Sequence, residues 1–266
     1  MAAKARATSV ILSTVVLAVA AMAFGQTTSR PSGSFAIEVK ATARDQYAYA
    51  SRIIASSPDR EARNLAVIRS VAALEVIPKR WPRERTLAIR AYGEIVARLN
   101  GAGLYQNALD SSQRAIAYSG DIPQRLVFLA AKGRALMWLN HPDEAQAAFA
   151  EATTGAGFDS LNDHEKGDVL RDAGFFHERR GNYRQAAQDA RTRATYCPDD
   201  LCRTETLRKA LDLSLMAGDN ANARTDLANL SDAALKARLR NLQPDEQELL
   251  RRIDAAILEY RKRVHG

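Results

Sequence analysis

A repeat is the feature of this sequence that most restricts its fold. Four segments line up: GLYQNALDSSQRA (Gly103 to Ala115), NHPDEAQAAFAEA (Asn140 to Ala152), GNYRQAAQDARTR (Gly181 to Arg193) and GDNANARTDLANL (Gly218 to Leu230). Each opens on Gly or Asn and places Ala five residues later, at Ala108, Ala145, Ala186 and Ala223, with intervals of 37, 41 and 37 residues. A step of that size accommodates one helix, a turn and a second helix, and units that cannot bury their apolar faces alone must stack. Gly103, Gly181 and Gly218 can take the left-handed backbone that ends a helix, and Asn is the next most tolerant residue for it. Ala on the inner face of the following helix lets two axes approach closely. Composition agrees: 46% hydrophobic and 26% charged residues can bury a core, while only 6% aromatic residues in an Ala-rich chain favour helices over strands.

In the second unit, which pairs this segment with the helix before it, Gly133, Leu136, Ala145, Phe149 and Ala152 carry a small, large, small, aromatic, small signature. The third has Leu170, Gly174, Gly181, Tyr183, Ala186 and a closing Pro198. These spacings resemble tetratricopeptide repeats (TPRs). The third unit departs at Ala190, where an aromatic or large apolar residue is usual, and at Arg193, where Ala is usual. The first and fourth keep Ala108 with Ala115 and Ala223 with Leu227 but lack the Gly of the first helix. The resemblance spans about Thr86 to Leu230 and implies an all-α, TPR-like α-solenoid of stacked antiparallel helical hairpins. The competing expectation is an irregular helical bundle without superhelical stacking.

The flanks complete a five-part organisation. Residues 1–25 have the layout of a secretory signal peptide: Lys4 and Arg6, an apolar run from Val10 to Ala23, then small residues at Ala21, Ala23 and Gly25, with cleavage expected after Ala23 or Gly25. An uncleaved signal anchor is the alternative, since the run is near the lower length for spanning a bilayer. Residues 26–44 read as a flexible linker. Residues 45–85 read as N-terminal helices, with a start at Ser57, Pro58 and Asp59 followed by Leu65, Ile68 and Val71 on one face. A second start at Trp81 and Pro82 leads to Leu87, Ala91, Ile95 and Leu99. Repeats occupy 86–230 and capping helices 231–266, where Leu249, Leu250, Ile253, Ile257 and Tyr260 form the apolar stripe of a last helix. The net charge of +7 falls to +5 when Lys4 and Arg6 leave with the leader. That mild excess suits an acidic peptide or anionic surface better than nucleic acid, which draws a concentrated basic stripe.

No constellation for catalysis stands out, so the chain is expected to be a non-enzyme without cofactor or metal. The Gly155 to Gly157 stretch precedes no Gly-Lys-Ser/Thr and reads as a connection between repeats. Four histidines exist, and His164 with Asp168 and Asp172 would need further ligands from elsewhere to hold a metal. Cys197 and Cys202, in CPDDLC, are the only cysteines; in an exported protein they are candidates for a structural disulfide, with free thiols the alternative.

In TPR proteins the first helices of the hairpins line a concave groove, which the resemblance places along Val127, Ala130, Arg134, Met137 and Trp138, then Asp168, Arg171, Phe175, Glu178 and Arg179, then Glu205, Arg208, Asp212, Leu215 and Met216. Arg134, Arg171 and Arg208 are expected to form a ladder beside Trp138 and Phe175, with Arg179 adjacent. Guanidinium forks flanked by rings suit an acidic or carboxylate-ended segment. The alternative is that the two rings are core and the arginines pair with neighbouring Asp or Glu. The leading expectation is an exported scaffold that binds a protein or peptide in a cell envelope, with membrane contact only through an uncleaved leader. An enzyme or enzyme subunit built on helical hairpins and a self-associating structural protein are the alternatives.

Overall fold

The computed structural model describes residues 37–55, 60–120, 122–238 and 243–265. The expected leader, most of the expected linker and the Ser57 to Asp59 helix start lie outside them. The described residues form eleven α-helices and no strand: α1 (Ala43–Ala55), α2 (Arg60–Arg80), α3 (Arg85–Gly101), α4 (Tyr105–Ser119), α5 (Gln124–Trp138), α6 (Pro142–Thr154), α7 (Asp163–Arg179), α8 (Tyr183–Ala194), α9 (Asp200–Met216), α10 (Asn220–Arg238) and α11 (Pro244–His265). None is long and apolar enough to cross a membrane. The described residues divide into two compact units, one ending at Ala102 and one beginning at Gly103, at the turn after α3.

In the first unit α2 packs on both α1 and α3. The buried face of α2 runs through Val67, Ser70, Leu74 and Ile77, whereas Leu65 is exposed, so the stripe expected at Leu65, Ile68 and Val71 is rotated. The polar members explain why apolar counting missed it. Ser70 donates to the Ala50 carbonyl and receives the Arg98 guanidinium, while buried Gln46 donates to the Ala73 carbonyl at 3.0 Å and accepts from Lys40 N at 2.8 Å. These hydrogen bonds make polar side chains tolerable between helices. On α3 the expected stripe of Ala91, Ile95 and Leu99 is buried, and Leu87 is half-buried beside fully buried Ala88.

The second unit is built on the repeat. Gly103, Asn140, Gly181 and Gly218 all have positive φ, at 75°, 65°, 74° and 65°, and Asn140 is the only non-glycine among the described residues to do so. After three of these turns the next backbone N–H folds back five residues: His141 to Leu136, Asn182 to His177 and Asp219 to Ser214, each at 2.9 Å. This left-handed closure satisfies carbonyls that a helix end would otherwise leave open. The four alanines five residues on, Ala108, Ala145, Ala186 and Ala223, are each completely buried.

Close approach is most evident between α5 and α6. A Cβ placed on Gly133 would sit 3.0 Å from the Phe149 ring, which is itself buried and lies 5.2 Å from the Phe176 ring. One hairpin later Ala190 replaces the ring. There Gly174 faces Asp189, whose carboxylate meets His177 Nδ1 at 2.7 Å and accepts from Gln185 at 3.2 Å. A polar pair thus stands beside the helix glycine where the preceding unit has a phenyl ring.

Toward the C-terminus, Leu211, Leu227, Leu230, Ile253, Ile257 and Tyr260 form one core. α10 runs unbroken past Leu230, the expected edge of the repeats, because Ser231 to Arg238 offers neither Gly nor Pro to stop it. Asp226, completely buried on α10, accepts Arg191 Nε at 2.7 Å and Nη2 at 2.9 Å from α8, and the Ser214 hydroxyl at 2.7 Å from α9. Three consecutive helices are therefore fixed through one carboxylate.

Candidate functional site

The rings on the first helices are exposed. Trp138 is 38% and Phe175 42% exposed, which puts them outside the core. Trp138 ends α5, where the chain turns away and leaves its indole at the rim. Tyr105, the first residue of α4, stacks on it with ring centres 5.4 Å apart and planes within 8°. Phe175 continues the row at 6.2 Å, and the Arg179 guanidinium sits 4.3 Å from the indole centre. The result is a partly exposed row of three rings with a cation on the central one, a geometry whose cation–π contact contributes about 0.5–1 kcal/mol at exposed sites. Tyr105 is absent from the sequence candidates because it stands on a second helix, whereas the expected groove draws on first helices alone. Its signal was an aromatic residue two positions after the Gly103 turn.

The arginines are arranged differently from the expected ladder. Arg171 and Arg208 each lie ten residues before their turn glycine, but Arg134 lies six before Asn140, the register of Phe175 in the next unit. All three have carboxylate partners: Arg134 meets Asp172 at 3.5 Å, Arg171 meets Asp168 at 2.7 Å and Asp172 at 3.3 Å, and Arg208 meets Asp212 at 3.3 Å. Burial pushes the Asp172 carboxyl above the usual range despite its two arginine neighbours. Ala130, expected on the groove, is core.

Asp212 also accepts the hydroxyl of Tyr260 from α11, which anchors the last helix beside Arg208. Burial, reinforced by that carboxylate, raises the Tyr260 phenol to about 12 from its ordinary 10.0. A folded value above the unfolded one means a contribution complete below pH 10 and lost as pH rises through about 12. Tyr260→Phe should therefore flatten the alkaline fall in thermal stability over that window. A variant curve parallel to the parent's would show that this phenol is not linked to folding.

Cys197 and Cys202 are disulfide-bonded across the α8–α9 connection, with Cα atoms 5.6 Å apart. The Asp199 carboxylate between them caps α9 by accepting Cys202 N at 2.8 Å. His164 is exposed and lies 3.7 Å from Asp168, and among the described residues no three His, Cys, Asp or Glu side chains converge on a metal position.

No protein-family model matches this sequence, and no curated protein matches it. Solved structures do. A Podosopora anserina protein assigned as a kinesin light chain, with nearly identical TPR-like repeats, matches in a singly substituted form at 15% identity over 74% of this chain and 96% of its own, with a TM-score of 0.52. A second structure of that protein matches at 15% identity over 75% and 97%, with a TM-score of 0.51. The fold is TPR-like. The type IV pilus biogenesis factor PilW is matched at 16% identity over 85% of this chain and 93% of its own, but its TM-score of 0.46 carries no argument. At such identities the likeness fixes the fold and leaves function to the residues of this chain.

Proposed function

We propose that this protein is an exported interaction scaffold that binds an extended protein or peptide segment along the row of Tyr105, Trp138 and Phe175. The observation that carries this reading is the row itself: large rings held at the surface by three helices where apolar side chains of this size usually turn inward. Tyr, Trp and Arg dominate binding energy at protein interfaces, because each offers a large contact area with a polar or cationic handle. The TPR-like fold supports a binding role over a catalytic one. Export rests on the basic, apolar and small-residue order of the first 25 residues.

The test is a pull-down from envelope extract of the source organism with chain 26–266, run beside Trp138→Ala and an Arg134→Ala, Arg171→Ala, Arg208→Ala triple variant, each with unchanged helical circular dichroism. Loss of a central aromatic should weaken the captured partner about 30-fold. The arginine triple variant should have a smaller effect, since its charges are already compensated within the chain. A partner retained equally by Trp138→Ala would remove the aromatic row as the binding surface. N-terminal sequencing of the protein recovered outside the cytoplasm should begin at Phe24 or Gln26; a chain found only inside the cell would end the export reading.

A further inference from the structure

The turn residues set a second register besides that of the buried alanines. Two positions before Asn140, Gly181 and Gly218 stand Trp138, Arg179 and Met216, the last residues of α5, α7 and α9. All three are exposed, Met216 at 55%. Every exposed large apolar side chain on these three helices falls in the same band, within six residues of its turn: Trp138, Phe175 and Met216. Helix ends that only face water have no need of such side chains. Trp, Phe, Met and Arg, with Tyr105 beside them, are the types enriched where proteins meet.

Arg179 is the charged member of this band. The indole of Trp138 holds its guanidinium at 4.3 Å from the ring centre. One helical turn earlier stand Phe175 and Phe176, which offer it no carboxylate, and the adjacent Glu178 is engaged by Lys209 at 2.6 Å. Among the described residues the Arg179 guanidinium has no ion pair or hydrogen bond, and at this exposed position its N–H groups face solvent. A fork already held on a ring loses less freedom when it binds than a free one does.

We propose that the bound segment runs across the C-terminal ends of α5, α7 and α9 and carries an acidic side chain flanked by apolar ones, its carboxylate on Arg179 and its apolar residues on Trp138 and Met216. This rests on the reading of the aromatic row as a protein-binding surface. It adds Met216 to that surface and moves charge recognition from Arg134, Arg171 and Arg208, which have carboxylate partners, to Arg179. In an extended chain alternate side chains face the same way, so the pattern is apolar, any, acidic, any, apolar. A carboxylate meets a planar guanidinium in charge-assisted bonds, and at an exposed site neither group gives up all its water to make them.

The probe is the fluorescein-labelled peptide Gly-Ser-Phe-Ser-Glu-Ser-Leu-Ser-Gly, compared by anisotropy at low salt with forms carrying Gln or Lys in place of Glu, or Ser in place of Leu. The parent protein should prefer Glu to Gln by about tenfold, the weight of one hydrogen-bonded contact between charged groups. Arg179→Ala should bind the Glu and Gln forms equally, and Arg179→Glu should reverse the order so that the Lys form binds best. Both variants should melt close to the parent, since the position is exposed. Met216→Ser should bind the Leu and Ser forms alike while keeping the preference for Glu. No binding by the parent, no preference for Glu over Gln, a preference that survives in both Arg179 variants, or an unchanged preference for Leu in Met216→Ser would each overturn the proposal. In the pull-down, a partner lost from Trp138→Ala yet retained by Arg179→Glu would keep the aromatic row and discard the acidic pattern, whereas a partner retained by both would remove the row as well.

Discussion

Replacing Asp226 by alanine should destabilise the protein by about 3–5 kcal/mol, the cost of leaving one half of a buried ion pair without the other. The carboxylate is completely buried and receives three hydrogen bonds, two from Arg191 and one from Ser214. Removing it leaves a guanidinium whose side chain is 21% exposed facing a hydroxyl. Arg191 cannot shed its proton to escape, because a guanidinium stays charged at any ordinary pH. The charge must therefore be buried alone or α8 must move away from α10. Urea denaturation reads the effect as a lowered midpoint with an unchanged slope. A companion variant, Arg191→Met with Asp226→Leu, should recover most of the loss, because an apolar pair of similar volume often matches a buried ion pair. A cost below about 1 kcal/mol for Asp226→Ala would mean that the network contributes little.

Phe149→Ala should cost a similar amount, about 3–5 kcal/mol, since it empties the space between α5, α6 and α7. The ring is 1% exposed, covers Gly133 and leans on Phe176, so little around it can collapse inward. The sharper form of this prediction is a sign change at Gly133. With the ring present, Gly133→Ala sets a methyl group 3.0 Å from aromatic carbons that are held from the other side, and overpacking of this kind costs about 1–3 kcal/mol. With the ring removed, the same substitution fills part of the cavity and gains helix propensity of about 0.8–1 kcal/mol. A double-mutant cycle on unfolding free energies measures the coupling directly. Additive effects would show that Gly133 and Phe149 do not constrain one another.

The parts of the fold that could be read from sequence obey rules stated for one residue at a time. A left-handed turn needs Gly or Asn, and close helices need a small residue at a fixed distance from it; Gly103, Asn140, Gly181 and Gly218 with their four alanines satisfy both. What escaped depends on pairs of residues far apart in the chain. Arg134 looked equivalent to Arg171 because they are 37 apart, but the step between those units is 41, which moves Arg134 one helical turn out of register. Their Asp partners were visible, while the choice of partner was set by rotamers on adjacent helices. Asp226 had a local signal, a carboxylate on the stripe of Ala223, Leu227 and Leu230, yet its partners Arg191 and Ser214 lie 35 and 12 residues away. On α2 a stripe built partly from Ser70 could not be found by counting apolar residues.

The contacts of the second unit run mainly between helices that are neighbours in sequence: α4 with α5, α5 with α6 and α7, α7 with α8, α8 with α9, α9 with α10, α10 with α11. Such a chain has little need to wait for distant segments before it can become ordered, and local contacts of this kind favour rapid folding. As synthesis proceeds, each completed hairpin can settle on the one before it while the next is still inside the ribosome. Asp226 and Tyr260 arrive late in that order, so their bonds to Arg191, Ser214 and Asp212 close the end of an array that is already largely built.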